Sequence, residues 1–577
     1  MSDDDEWGPE IVSAIRKYAL QNAVEYNGSG KSGSVLGRLL SEFPELRANA
    51  KQLIPLISKQ VDESNMLANK FGLEHVREIL EMTNPEALNR EKQKKRIGLP
   101  DLEIGDDKNV ILRFAPNPNG PLSIGHSRGV VINSEFAKKY SGKVILRFDD
   151  TDTKVKPPLE SAYSMIEEEF EWISGLKPDL VIRASSRMEI YLEAAEGMIS
   201  RGICYVCRCT ASEFKELRDS KEACICRERD VGQNILDWKM MIEGGIDEGG
   251  AVVRVKTDLN LPNPALRDWP ALRIQHTAHP IVGNRYKVWP LLDFQSAVED
   301  HLQGVTHIVR GKDLMDSTRK QTLLYELLDW DYPQTLYWGR VKLLDFGGFS
   351  TSSIRKSVEN GDYSGWDDPR LPTVAALRRR GFSSESLREF WVELGLSQKD
   401  ISIPMQSIES KNSKIIDKYS ERRSFIESPK KLYITSENGD KIDNFGSIFI
   451  NRHPDYPEMG EREWDLGDGS IFISENDYTE GLIRLKDFAD VEIKGDIAAI
   501  LSREKTDDLP IIHWVSSKNS TEAVMIVARG SEIDNVEGIM ENIDGNLGQT
   551  LQLERMGFAR IEGISDSGKI SLIWLHG

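Results

Sequence analysis

Apolar residues recur at helical spacing near the start of the chain: Ile11, Val12, Ile15, Ala19 and Ala23, then Val35, Leu36, Leu39, Leu40 and Phe43. A three-to-four-residue repeat places each set on one face, which predicts helices over residues 7 to about 85. From Asn109 the grammar changes to "NVILRFA", a Pro/Gly turn, "IGHSRGVVINSEFAKKY" and then "GKVILRFDD". Strand, helix and second strand in such quick succession predict a βαβ unit of a parallel sheet, whose ligands bind at the carboxyl ends of the strands. More alternation follows through "THIVRGKDL" and "QTLLYELLDW". Residues 420 to 577 read differently. Short alternating runs such as "KLYITSENG", "GSIFI", "EAVMIVARG" and "KISLIWLHG" sit between turn signals, as in β-barrels.

A chain of 577 residues exceeds what one core serves, so several domains are expected. With 39% apolar and 29% charged residues it can bury several cores, and no apolar run is long enough to span a membrane. The start, "MSDDDEWGPE", is acidic where an export signal is basic and then apolar, so a cytoplasmic protein without disulfides is expected. The net charge of −19 argues against a polyanionic partner at first count. Whole-chain charge, however, reports solubility, whereas a polyanion responds to local patches. Two such patches stand out, "REKQKKR" (Arg90 to Arg96) and "LRRRGF" (Arg378 to Arg380), although charge runs are more often plain solvated surface. The segment from Asn84 to Pro100 reads as a basic linker.

Two stretches look built for phosphate. In "EYNGSGKSGS", Gly30-Lys31-Ser32 copies the tail of a Walker A loop, but Glu25 stands where glycine is needed and a helix precedes instead of a strand. It is expected to be a helix connector. In "ILRFAPNPNGPLSIGHSRGVVI", Gly120 and Gly125 have Walker spacing, yet His126-Ser127 replaces the phosphate lysine, and the G-x-G-x-x-G dinucleotide pattern is missing. A plain turn with a surface histidine is the bland alternative.

The longer context favours a third reading. "RFAPNPNGPLSIGHSRG" with Ser123-Ile124-Gly125-His126 resembles the His-Ile-Gly-His segment of class I aminoacyl-tRNA synthetases, specifically the glutamyl and glutaminyl family and most closely its archaeal glutamyl type. "LRFDDTD" (Leu146 to Asp152), "DFQSAVEDHLQGVTHIVRGKD" (Asp293 to Asp313) and "YSGWDDPRLPTVAALRRRGF" (Tyr363 to Phe382) follow in the family's order, from about residue 109 to 385. The resemblance implies ATP-dependent attachment of glutamate to tRNA: glutamyl-adenylate forms with release of pyrophosphate, then the glutamyl group moves to the terminal ribose. Glutaminyl ligation and a non-catalytic tRNA-binding module are the alternatives.

By resemblance, Ser123, Gly125 and His126 serve catalysis with Ser350, Thr351 and Ser352. These three, in "GGFSTSSIRK", stand where the family's Lys-Met-Ser-Lys-Ser loop ends. Thr351 then occupies the lysine's place, and Arg355 or Lys356 is left to supply the charge. Pro118, Gly120, Ile124, Gly125, His126, Arg128 and Asp313 are expected at the ATP site. A buried substrate carboxylate needs bidentate cations. Arg113 and Arg310, each ending a strand, fit that need; the glutaminyl relatives lack the second. Asp149 is expected to hold the α-ammonium, with Ala115 and Ser296 lining the same pocket. Leu292 departs from the tyrosine that other branches carry.

All five cysteines lie between Cys204 and Cys226. Cys207-x-Cys209, fourteen residues, then Cys224-x-Cys226 could give four thiolates for a structural zinc; reduced thiols are the alternative. The expected architecture is multidomain α/β. Residues 1–100 would be a helical appendage and basic linker. Residues 101–385 would be a Rossmann-like, parallel-sheet class I catalytic domain, with an acceptor-stem insert at about 185–290. A helical connector would span 386–420, and C-terminal β-barrels reading the anticodon 421–577. Expected partners are ATP with magnesium, L-glutamate and tRNA(Glu), with tRNA(Gln) left open and no membrane. Arg370, Arg378, Arg379 and Arg380 are the expected tRNA contacts.

Overall fold

The computed structural model describes residues 7–87, 98–105, 109–345, 350–442, 444–506 and 508–577. The chain divides into two compact units, Met1–Arg96 and Ile97–Gly577. The first contains the helices Pro9–Glu25, Ser32–Glu42, Ala50–Phe71 and Leu73–Thr83. Ile15, Ala19, Val35 and Leu39 from the periodic positions pack with Leu53, Ile57 and Val61. The Gly30-Lys31-Ser32 connector offers little to a phosphate, because the amides of Gly30 and Lys31 donate to the side chains of Asn65 (2.8 Å) and Asn22 (2.7 Å). The basic segment Arg90 to Arg96 lies outside the described residues.

In the second unit a parallel sheet pairs β1 (Ile111–Phe114) with β2 (Lys143–Phe148) and β2 with β3 (Leu180–Arg183). A further parallel pair, β4 (His307–Gly311) and β5 (Gln334–Trp338), adjoins the other edge of β1, where Thr306 donates to the Ile111 carbonyl at 3.0 Å. The order β5-β4-β1-β2-β3 reverses direction at β1, so the crevice between the carboxyl ends of β1 and β4 is a topological switch point. Helix α1 (Ile124–Tyr140) connects β1 to β2. Ser123 caps its start, a left-handed Ser141 ends it, and Gly142 then passes so close to Val110 that a Cβ would lie 2.3 Å from its carbonyl oxygen.

Between β3 and β4 stands a four-stranded antiparallel sheet built from Cys204–Cys207, Val252–Val255, Pro270–Ile274 and Val288–Pro290. It has its own core around Trp238, Trp269 and Trp289. After Ile416 the chain forms two seven-stranded sheets, mostly antiparallel, each around a separate core. Their chain order is interleaved: Glu421–Arg423 and Phe425–Glu427 pair with Thr550–Leu553 and Glu532–Glu541, so the final residues close back on the start of the β region. The buried Glu541 carboxylate joins Arg423 (3.0 Å) and Arg462 (3.1 Å) at the junction.

Candidate active site

The switch point opens into a cleft of about 850 Å3. Its walls include Arg113 and Ala115 after β1, Gly125, His126, Gly129 and Asn133 from α1, Asp149 after β2, and Arg310 and Asp313 around the end of β4. Ser350, Thr351 and Ser352 close it at the start of helix α2 (Thr351–Glu359). Leu292, half exposed, lines it where the tyrosine of other branches would stand.

The helical period decides which signature residues reach the cleft. Gly125, His126, Gly129 and Asn133 share one face of α1; Ile124 and Arg128 point into the core behind it. Arg128 is a correction to the expected ATP contact. It donates to the carbonyls of Gly339 (3.1 Å) and Gly395 (2.8 Å) between the rings of Trp338 and Trp391, and burial pushes its pKa down to about 10. Ile124 is fully buried, its amide bonded to the Pro372 carbonyl. Pro118 is buried and accepts from Leu159. Gly120 faces protein rather than nucleotide: a Cβ there would sit 2.7 Å from the Thr351 methyl and 2.8 Å from the Trp366 ring. Ser296 lies beneath the floor, accepting from Arg147 at 2.8 Å.

Ser123 and His126 form a reciprocal capping box. The Ser123 hydroxyl accepts the His126 amide (3.3 Å), and the Ser123 amide donates to His126 Nδ1 (3.2 Å). Ser123 therefore positions the helix start rather than lining the cleft. Since Nδ1 accepts, the neutral ring carries its proton on Nε2. The ring is exposed to the cleft; the walls around it, and then the charge of Lys156, lower the His126 pKa from its ordinary value, which favours the neutral form.

Around Arg113 the floor is a buried ionic hub whose two central members, Arg147 and Asp300, sequence reading missed. Arg147, fully buried within β2, donates to Asp149 (2.9 Å), Asp300 (2.6 Å) and Ser296; Arg113 donates to the same Asp300 oxygen at 3.3 Å. Burial would raise the Asp300 carboxyl, but Arg147, Arg113 and Arg310 outweigh it and hold it below its ordinary value. For Asp149 burial wins and the carboxyl is raised despite Arg147. Arg310 has only neutral partners, Thr318 (3.3 Å) and Gln321 (3.0 Å), and its buried Nε has none. Three guanidiniums facing two carboxylates leave one positive charge open at the cleft's inner end. The signal was present: Arg147 is the one charge in a strand segment, Val144–Phe148, that is otherwise apolar.

The expected tRNA arginines require a correction. Arg379 forms a two-pronged pair with Glu562 (2.6 and 3.2 Å), and Arg380 is buried on the Leu575 carbonyl. Arg370 grips Asp368 and reaches the Ser531 carbonyl. These three fasten the α/β region to the C-terminal sheet; Arg378 alone of the four has an exposed side chain. The replacement candidates for the loop lysine are also placed elsewhere. Arg355 pairs with Glu359 and donates to the Pro157 carbonyl, and Lys356 is exposed and not among the residues that line the cleft. Gly348 and Phe349 lie outside the described residues.

A parallel sheet whose switch-point cleft combines a capped glycine-histidine helix start with a Ser/Thr-capped second helix defines a class I aminoacyl-tRNA synthetase catalytic domain. Residues 109–418 match the family described as tRNA synthetases class I (E and Q), catalytic domain, and residues 420–505 its anti-codon binding domain. The chain belongs to this glutamyl and glutaminyl family. It is 43% identical over 571 residues to the glutamate–tRNA ligase of Methanothrix thermoacetophila, covering 96% of this chain and 98% of that protein. It is 41% identical to that of Methanosarcina acetivorans (98% and 99% covered) and 40% identical to that of Pyrococcus furiosus (98% and 100%). Among the described residues no helix is long and apolar enough to cross a membrane.

Proposed function

We propose that this protein attaches L-glutamate to tRNA, activating it with ATP first. The carrying observation is the buried hub ending at Arg113 and Arg310, whose surplus positive charge suits a substrate side-chain carboxylate. Asp149, which lines the same cleft, would take the α-ammonium. ATP enters as its magnesium complex along the opposite end, where His126 and the hydroxyls of Ser350, Thr351 and Ser352 meet its phosphates. The α-carboxylate then attacks the α-phosphorus, pyrophosphate leaves, and a hydroxyl of the terminal ribose takes the glutamyl group. Catalysis of this kind is mostly alignment and charge stabilisation. The test is charging of purified tRNA isoacceptors with labelled glutamate or glutamine. Glutamate is expected on tRNA(Glu), with glutamine at background; glutamine charging would overturn the assignment.

The insert at about 185–290 is read as the acceptor-stem domain. The cleft lined by residues of the two β sheets presents the exposed ring of Phe449, which supports anticodon contact there through base stacking; the neighbouring cations are ion-paired, Arg422 with Asp417, Lys486 with Glu554 and Arg555 with Asp477.

We also assign a structural zinc to Cys207, Cys209, Cys224 and Cys226. Their sulfurs all lie within 4.8 Å of one another, with Cys207–Cys224 and Cys209–Cys226 both at 3.9 Å. Tetrahedral zinc–thiolate bonds of about 2.3 Å set sulfurs about 3.8 Å apart, so the donors fit with little movement. Four thiolates leave no open position, and the ion would staple the strand Cys204–Cys207 to the turn at Ile225–Glu228. Metal analysis of the purified protein should find one zinc per chain, and Cys209→Ser with Cys226→Ser should abolish it; a metal-free wild type would refute the site.

A further inference from the structure

The family's signature loop normally brings a lysine to the triphosphate, and this chain has Thr351 there. The basic residues that follow it do not fill the gap, since Arg355 is committed to Glu359 and Pro157 while Lys356, exposed, is not among the residues that line the cleft. The preceding Phe346-Gly347-Gly348-Phe349 contains no basic residue. A leaving pyrophosphate in a walled cleft still needs a cation.

The loop after β2, "TDTKVKPP" (Thr151 to Pro158), holds one. Lys156 lines the cleft together with His126 and Ser350 to Ser352, and its charge is felt at the His126 ring. Among the described residues it has no hydrogen bond or ion pair. The other cations of the cleft are engaged: Arg113 with Asp300, Arg273 with Asp152, and Arg310 at the far end with Thr318 and Gln321. Lys154, two residues earlier, is paired with Glu248 at 2.5 Å.

The loop that presents Lys156 is pinned on both sides. Asp152 accepts the amides of Lys154 (3.1 Å) and Val155 (3.0 Å), fixing the turn in. On the way out Pro157 accepts from Arg355 of α2 at 3.2 Å, and Leu159 donates to Pro118 at 2.8 Å. Arg355 therefore ties the Lys156 loop to the very helix whose start carries Ser350 to Ser352, so the two segments line the same cleft as one unit.

We propose that Lys156 is the catalytic cation for the β- and γ-phosphates of ATP, supplied by the loop after β2 in place of the lysine that the signature loop lacks. The step needs no proton from it: a glutamate carboxylate oxygen bonds to the α-phosphorus, the bond to the bridging oxygen breaks, and pyrophosphate leaves with the electron pair. Lys156 balances the negative charge that collects on that leaving group, opposite the inner end where Arg310 holds the amino acid.

The inference rests on the adenylation reading, which wild-type tRNA-dependent ATP–pyrophosphate exchange tests by itself. The proposal is tested by Lys156→Ala and Lys156→Arg in the full chain, with direct binding of inorganic pyrophosphate measured alongside exchange. Lys156→Ala is expected to lower the exchange kcat by about 100-fold, to weaken pyrophosphate binding about tenfold, and to leave KM for glutamate unchanged; Lys156→Arg should recover most of both losses. An alanine variant that keeps wild-type kcat, or one that binds pyrophosphate as the wild type does, would overturn it. So would a loss that arginine fails to rescue. The pyrophosphate-binding arm remains decisive even if the wild type shows no exchange.

Discussion

Arg310→Gln is expected to lower kcat/KM for glutamate by about two to three orders of magnitude, while KM for ATP changes less than about threefold. The size follows from burial. Arg310 is almost fully enclosed, and its guanidinium is satisfied by two neutral oxygens, with Nε unpartnered. Removing one member of a buried charge pair costs about 3–5 kcal/mol, because the remaining charge is stranded. In the variant that stranded charge is the substrate's carboxylate. Arg113 cannot take over, since its Nε is already given to Asp300, which Arg147 also claims. Glutamine at 310 would also remove the surplus positive charge, so the variant should discriminate poorly between glutamate and glutamine at a low rate. Arg310→Lys should fall between, keeping charge but losing the fork that grips both carboxylate oxygens. Initial rates of tRNA-dependent exchange with each substrate varied in turn would decide. Equal losses for ATP and glutamate would mean that the pocket has been assigned to the wrong end of the cleft.

The contrast between Arg310 and Arg128 shows what sequence reading could reach. Both lie beside family motifs and both are arginines near the ends of apolar runs. Arg310 stands near the end of a buried strand, so its position at the carboxyl end places it at the crevice by topology alone. Arg128 is on a helix, where adjacency in sequence is not adjacency on a face; two residues past His126 it is turned away from the cleft. The same distinction explains Ile124. Gly120 stood out only through its spacing from Gly125 and was expected at the ATP site, but the groups that approach it are Thr351 and Trp366, more than 200 residues on in sequence. No local pattern reports such a partner.

Long-range partners also explain the misread arginines. "LRRRGF" is dense in charge, and density alone suggested a polyanion. Glu562 and the Leu575 carbonyl, which engage Arg379 and Arg380, come from strands at the far end of the chain. The hub was hidden for a related reason: Arg147 was visible as a charge in an apolar strand, but its carboxylates are Asp149 next to it and Asp300 a hundred and fifty residues on. The acidic total charge concealed nothing, since the cleft's surplus is one charge made by three arginines and two aspartates. Lys156 escaped notice because a lysine in a polar loop is ordinary until the fold shows what it faces.

His126→Ala is expected to reduce the rate of adenylation by about 100- to 1000-fold, with KM for glutamate and ATP each within about threefold. The imidazole stands at the start of α1, where amides already favour an anion, so ground-state binding does not depend on it alone. Its particular contribution is a fixed donor. The Ser123 amide occupies Nδ1, so the neutral ring has one tautomer, with the proton on Nε2 available to a phosphate oxygen as charge develops. Protonation would destroy that arrangement, because Nδ1–H and the Ser123 N–H would then confront each other. Desolvation, helped by Lys156, holds the pKa of the ring below the ordinary imidazole value. The sign is therefore definite: the rate should be flat through neutral pH and fall on the acid side, below the ordinary histidine range, and this limb should be missing from the residual activity of His126→Ala. Lys156→Ala should move the same limb to higher pH, since a cation that opposed protonation has gone. A pH–rate profile of kcat for the three proteins separates these effects from simple misfolding, which would lower the whole curve without shifting its limb. If His126→Ala retained both the wild-type kcat and the acid limb, the capping box would be a structural device only, and stabilisation of the reacting phosphate would fall to the Ser350–Ser352 segment and Lys156.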